Sequence, residues 1–268
     1  MKLSIVFTAL CALAYGHDVA SAYNFTDSTE TTETANVPVE YETAEAPVEY
    51  ETAAAPAATG ISRYMTEAQF KSVFPNAIAL YTFKGLVDAT KKYPAFANSN
   101  DATKNKRELA AFLAQTAHES DNFKAAEEYN HASYPVSQYC NPSQVKCASG
   151  KRYHGRGPIQ LSWNYNYNAA GKALGHDLLN NPQLVATDKS ITWQTALWYW
   201  MTPQKAGRII HNVVTKDDGF AQSTDIINGG LECGPSAPNK GNEQQRIKYY
   251  KTLCSKLGVT PVKKVSCN

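Results

Sequence analysis

The chain has 268 residues, room for one large domain or two small ones, and its 43% hydrophobic content excludes a wholly disordered protein. The net charge of +2 averages two unlike parts: residues 1–60 hold one basic and nine acidic residues, whereas residues 61–268 hold 25 basic against 15 acidic. A basic body favours a neutral or polyanionic partner over a cationic one, and no Lys/Arg run interleaves with aromatics as nucleic-acid binding would need.

In chain order, Lys2 followed by the apolar stretch 3–15 reads as a secretory signal, too short to span a bilayer. Ala20 and Ala22 fit cleavage after Ala22, and a cut near Gly16 is the alternative. No other segment approaches the ~18 apolar residues of a membrane helix, so the expectation is a secreted, extracellular protein with residues 1–22 removed and no membrane partner. Residues 23–60 are low-complexity, rich in Thr, Glu, Pro and Ala, with PVEYETA at 38–44 and again at 47–53. Too few large apolar side chains occur there to offset the entropy of ordering, which predicts a solvated acidic spacer. Asn24-Phe25-Thr26 is a glycosylation sequon, and the Thr-rich stretch is a candidate for O-linked sugars.

The body, 61–268, reads as mostly helical. Thr66 is an N-cap candidate with Glu67 in the first turn and Phe70, Val73 and Phe74 at helical spacing. Over 106–120, Leu109, Phe112, Leu113 and Thr116 line one helical face; 191–201 is a buried helix; 243–257 places Ile247, Tyr250, Leu253 and Cys254 on one side, with Gly258 as its stop. Strand signals are scarce, and 137–157 is expected to hold a small hairpin or irregular loops. The fold class that follows is mainly α with a minor β element.

Export changes the meaning of the cysteines. Cys11 leaves with the signal, and Cys140, Cys147, Cys233, Cys254 and Cys267 remain, an odd set that implies two bridges and a free thiol or an intermolecular link. Cys140 and Cys147 close a short loop and are expected to pair. With no CxxC pair and no HExxH helix, no metal is expected.

Three local features carry chemistry. His118 and Glu119 end the 106–120 helix, where the macrodipole disfavours a carboxylate and tends to raise its pKa. Glu127 and Glu128 follow a polar break. Nine residues at ~100° each would put Glu119 and Glu128 on opposite faces of a continuous helix. They can flank a cleft only if the chain turns between them, and Asp121-Asn122 is the candidate breaker. Last, Gly155, Gly157 and Pro158 set a tight path into Gln160, Ser162, Asn164, Tyr165, Asn166 and Tyr167. So dense a set of amides, hydroxyls and rings makes poor core but suits a sugar, with hydroxyls to bind and C–H faces to stack. The pattern of a phosphate-binding loop is absent.

FLAQTAHES, GKRYHGRGPIQLSWNYNYNAAG, DLLNNPQLVATD, TALWYWMTPQ, IINGGLECG and RIKYYKTLC, in that order, resemble the catalytic domain of the family 19 chitinases from about residue 65 to 268. The resemblance implies a lysozyme-like, two-lobed helical fold around a central substrate cleft. It implies endo-acting, inverting hydrolysis of β-1,4-linked N-acetylglucosamine polymers by a monomer without a cofactor. By the same resemblance Glu119 is the general acid. The general base falls on Glu128, because Glu128-Tyr129-Asn130 matches the Glu-x-Asn setting of bacterial-type members; Glu127 is the lesser candidate. Ser162 would hold the attacking water, and Gln160, Tyr165, Asn166 and Asn228 would contact sugars. Glu232 and Arg246 would form a charge network with the base. Cys233 would pair with Cys267, leaving Cys254 as the free thiol.

The chain departs from the plant pattern in lacking a cysteine between residues 12 and 139, in its short segments after Glu119 and after Pro203, and in having no Cys-rich chitin-binding module. A shorter, more open cleft and a weaker grip on insoluble chitin follow from the resemblance. The rival readings are a muramidase or chitosanase on the same scaffold, and a non-catalytic chitin-binding protein. Retention of both glutamates argues against the second.

Overall fold

The computed structural model describes residues 58–268; the expected signal segment and residues 23–57 of the expected spacer lie outside the described residues. Helix α1 (Glu67–Val73) starts where the sequence placed it. The Thr66 hydroxyl accepts from Gln69 N while the Gln69 side chain accepts from Thr66 N, a reciprocal box that satisfies two otherwise orphaned donors. Helix α2 (Phe83–Thr90) is capped one way only, by Thr82, whose hydroxyl accepts from Gly85 N.

Helix α3 (Ala102–Glu119) is longer than the apolar stripe predicts. Asp101 caps it by accepting from Lys104 N, so it begins four residues before Lys106. Every residue from 109 to 117 is buried. The stripe of Leu109, Phe112, Leu113 and Thr116 is only one side; Ala110, Ala111, Ala114 and Ala117 let other helices approach the remaining faces. Buried on every side over 109–117, the helix runs through the domain, and its C-terminus brings Glu119 to a partly exposed position.

Helix α4 (Asn164–Leu174) ends on Gly175 in the left-handed conformation (φ 79°). Helices α5 (Leu184–Thr187), α6 (Lys189–Met201), α7 (Ile210–Val213), α8 (Gly219–Glu232) and α9 (Lys240–Lys256) follow. The most extensive packing is α3 against α9, then α2 against α6. Trp193 of α6 stands at the centre of an aromatic cluster with Phe70, Tyr81, Phe112 and Phe123, at centroid separations of 5.5–6.5 Å. Helix α8 is broken at Asn228 (φ −145°), so its last turn is set apart from the rest.

Of the two expectations for 137–157, irregular loops form and a hairpin does not. Among the described residues the only β pairing is two isolated bridges, Glu127 with Arg156 and Arg156 with Leu161. Left-handed residues at Gly157 (φ 72°) and Gln160 (φ 49°) reverse the chain too soon for a ladder to grow. Cys140–Cys147 and Cys233–Cys267 are bridged, and Cys254 is a buried free thiol pushed up to about 11 chiefly by burial. No helix among the described residues is long and apolar enough to cross a membrane.

Candidate active site

The turn required after Glu119 is present and is left-handed. Asp121, Asn122 and Phe123 have φ of 48°, 61° and 63° in succession. Each left-handed L-residue costs roughly 1–2 kcal/mol. Phe123 offsets part of that by burying its ring, worth about 2–3 kcal/mol, edge-on to Phe74 at 4.7 Å. Its carbonyl also accepts from Ile78 N (3.0 Å), while Ser120 O accepts from Lys124 N and Ala125 N. The sequence identified Asp121-Asn122 as the breaker but not Phe123 as the anchor that holds the break.

Glu119 lies among polar groups of three helices. Arg246 of α9 donates to it through Nη2, to Glu232 Oε2 through Nε (2.8 Å) and to Glu232 Oε1 through Nη2 (2.8 Å). Nη1 of Arg246 donates to Gln115 Oε1 (2.8 Å), and Gln115 is oriented by Ser223 and Thr224 of α8. Asn228 completes the set, donating to Glu232 Oε1 at 2.7 Å. The charge network expected around the base is therefore built around Glu119 instead. Helix α9 lies along α3, and that packing brings Arg246 to the residue ending α3. Gln115, missed in the sequence, sits four residues before Glu119 and so on the same helical face.

Burial raises the pKa of Glu119, opposed by Arg246 and reinforced by the charge of Glu232. One guanidinium serves two carboxylates here, and Glu232 holds it with two bonds. His118 is pushed down to about 2 by burial and by Arg246, so its imidazole is neutral. Tyr199 lies close enough to sense Glu119 and Tyr165, and its phenol is raised mainly by burial.

Glu128 is held differently. Its Oε1 accepts from Tyr134 (2.9 Å) and Tyr139 (3.2 Å), and its Oε2 from Gly155 N (3.4 Å). Both tyrosines escaped the sequence reading, since neither stands at a periodic position relative to Glu128. A hydrogen bond from Tyr129 to Asp121 (2.8 Å) ties the segment of Glu128 to the turn after Glu119.

Rings continue from Tyr134 to Tyr139 (6.2 Å), Trp163 (5.5 Å) and Tyr165 (5.7 Å). Ser162 lies beside Trp163, its carbonyl accepting from Asn166 Nδ2 (2.9 Å). The Gln160 amide is folded back onto Gly157 O (3.0 Å), so of the expected sugar-binding side chains it is one already engaged within its own loop. A Cβ at Gly155 would meet Gln160 Oε1 at 2.8 Å and Gln160 Cβ at 3.2 Å, so a larger residue there would require the Gln160 side chain to shift.

Glu127 turns away from Glu128. It pairs with Arg156 Nε at 2.6 Å and lies 3.5 Å from His154 Nε2 and 3.6 Å from His131 Nε2; contacts with His154 and Arg156 hold its carboxyl down at about 2. Ligand atoms of Glu127, His131 and His154 lie within 4.8 Å of one another. The two imidazoles are stacked, 4.2 Å apart and 15° from parallel. In-plane lone pairs of stacked rings run side by side and do not converge, and Arg156 already occupies Glu127. The geometry is that of a charge cluster and not of a metal-ligand set.

Residues 65–267 match the family model described as chitinase class I. The chain is 43% identical over 211 residues to the basic endochitinase of Vitis vinifera, covering 70% of this chain and 67% of that one. It is 44% identical over 201 residues to endochitinase A2 of Pisum sativum, covering 67% and 61%. Among solved structures, chitinase C from Streptomyces griseus HUT6037 superposes with a TM-score of 0.70 at 43% identity, over 75% of this chain and 96% of that one. The class IV chitinase of Zea mays gives 0.67 at 33%, over 78% and 100%. This chain belongs to the family 19 chitinases, glycoside hydrolases of mainly helical, lysozyme-like fold. It spans about two thirds of the length of the plant relatives quoted.

Proposed function

We propose that the protein is a secreted, endo-acting chitinase that hydrolyses β-1,4-linked N-acetylglucosamine polymers with inversion, Glu119 serving as general acid and Glu128 as general base. The observation that carries this reading is the unlike surroundings of the two carboxyls. Glu119 is partly buried, raised in pKa by desolvation and one of two carboxylates on a single arginine. Glu128 accepts hydrogen bonds from two phenols and a backbone N–H, and no arginine among the described residues is a hydrogen-bond partner of its carboxyl. Glycosidases need two carboxyls in unlike roles, an acid that keeps its proton and a base that takes one from water.

In the proposed reaction Glu119 gives its proton to the leaving glycosidic oxygen. Glu128 removes a proton from a water on the opposite face of the ring, with the Ser162 hydroxyl orienting that water. An inverting pair leaves room for the water by standing about 6.5–9.5 Å apart. The aromatic rail from Tyr134 to Tyr165 suits the C–H faces of successive sugars, and Asn166, Asn228 and Gln160 suit their hydroxyl and N-acetyl groups. Gln160 would have to exchange its bond to Gly157 for one to substrate. Residues 1–22 as export signal and 23–60 as spacer complete the reading, with 61–268 as the catalytic domain.

Anomer-resolved analysis of chitohexaose cleavage by the wild type, Glu119→Gln and Glu128→Gln tests it. Products should appear first as the α-anomer. Each variant should lose about 10²–10⁴-fold in kcat. Initial β-anomer, or a Glu119→Gln variant of wild-type rate, overturns it. Parallel assays on chitosan and bacterial cell wall separate this activity from that of a chitosanase or muramidase.

A further inference from the structure

We propose that Glu127 is a positioning residue for Glu128, clamping to Arg156 the short bridge on which Glu128 is carried and cancelling charge beside it. This rests on the reading of Glu128 as the general base. Neighbouring residues of an extended segment point to opposite sides. Glu128 accordingly meets Tyr134 and Tyr139, while Glu127 meets Arg156, His154 and His131. The backbone link is minimal: Glu128 N donates to Gly155 O and Gly157 N donates to Ala126 O, both at 2.9 Å. Two such bonds at an isolated bridge do not make a rigid support, because no further strand residues pair beyond them. The 2.6 Å ion pair between Glu127 and Arg156 closes the same bridge from the side.

Arg156 is a fixed anchor. It is buried, its Nη1 donates to Arg152 O (2.9 Å) and to the Tyr167 hydroxyl (3.0 Å), and its backbone pairs with Leu161 in both directions (3.1 and 2.8 Å). His131, stacked on His154, donates from Nδ1 to the carbonyl of Glu128 at 2.6 Å. Both backbone groups of Glu128 are thus tied, the N–H by Gly155 O across the bridge and the carbonyl by His131, a member of the side-chain cluster around Glu127. Arg152 holds the same turn through the carbonyls of His131 and Tyr134.

The electrostatic part of the role separates it from a merely structural one. The charged and titratable groups around Glu128 are Glu127, Arg156, Arg152, His131 and His154, and the phenols of Tyr134, Tyr139 and Tyr167. Glu127→Gln removes a negative charge and leaves Arg156 uncompensated, so the acid limb of kcat/KM moves to lower pH. Arg156→Gln leaves Glu127 uncompensated, so the same limb moves to higher pH. The double variant returns it toward the wild-type position.

The experiment measures kcat and KM on chitohexaose across pH for these three variants, with Arg156→Lys and Glu128→Gln beside them. Glu127→Gln should lower kcat about tenfold or more with KM within about twofold, as expected of a misplaced reacting group. Arg156→Lys keeps the charge but not the planar fork, so it should lower kcat and leave the limb in place. If Arg156→Gln does not fold, Glu127→Gln and Arg156→Lys still decide. Wild-type kcat with an unmoved limb in Glu127→Gln, or shifts of the same sign in the two single variants, overturns the proposal. A fully active Glu128→Gln variant would instead remove the underlying assignment of the base.

Discussion

Arg246 donates to Glu232 through two nitrogens, each at 2.8 Å, and reaches Glu119 with one of those same two. The bidentate fork matches a carboxylate geometrically, which makes Glu232 its principal partner. Glu119 is then a second negative group competing for a cation already half satisfied, inside a site where burial opposes its ionisation. A proton on Glu119 removes that conflict.

Glu232→Gln should therefore act on Glu119 from a distance. Loss of the Glu232 charge lowers the pKa of Glu119 and frees Arg246 to pair with it. Glu119 then loses its proton at lower pH, and the basic limb of kcat/KM moves down. A pH–rate series on chitohexaose reads this; a basic limb that stays in place or moves up would show that Glu232 does not tune Glu119, the proposed acid. Breaking a buried pair also costs about 3 kcal/mol, to be seen in thermal unfolding.

Asn122 offers a stabilising substitution next to the site. It is left-handed (φ 61°), and its side-chain oxygen is buried without a partner among the described residues. Glycine accepts this backbone without strain and leaves no orphaned acceptor, at some cost in unfolded-chain entropy. Asn122→Gly should gain about 1 kcal/mol and raise Tm by about 3 °C. A lower Tm would mean that the Asn122 amide has a role in holding the turn.

A third expectation concerns stability against pH. His211 donates from Nδ1 to Glu108 at 2.6 Å, and Glu108 is buried, accepting also from Trp200 Nε1 (3.0 Å) and Ala97 N (2.9 Å). The bond to Glu108 raises the pKa of His211 above its ordinary 6.5. A group raised on folding stabilises fully below its unfolded pKa and loses that contribution as pH rises through the folded value. Calorimetry of the wild type and His211→Gln should show a Tm difference that is largest below about pH 6.5 and shrinks above it. A difference independent of pH would assign the contact no proton linkage.

Much of the scaffold was legible in the chain. Thr66 with Glu67, the apolar stripe of α3, the unbroken run of α6 and the Gly258 stop (φ 61°) are local signals, and each helix formed where it was read, within a few residues of the expected ends. The length of α3 was underestimated because Asp101 caps a polar first turn that hydrophobic periodicity cannot see. For 137–157 the sequence left a hairpin and irregular loops open, and left-handed residues and a disulfide loop decide for the loops.

By itself, then, the sequence determined which stretches are helical, that a turn must separate Glu119 from Glu128, and to which family the six motif blocks point. Only the tertiary structure decided who stands beside whom. Arg246 is 127 residues from Glu119 and meets it because α9 packs along α3. Glu127 and Glu128 are adjacent in the chain and end in separate surroundings because one bridge turns their side chains apart. Hydrophobic period and capping are encoded within one helical turn, whereas a carboxyl takes its charge state from desolvation and from cations that arrive only when distant elements pack.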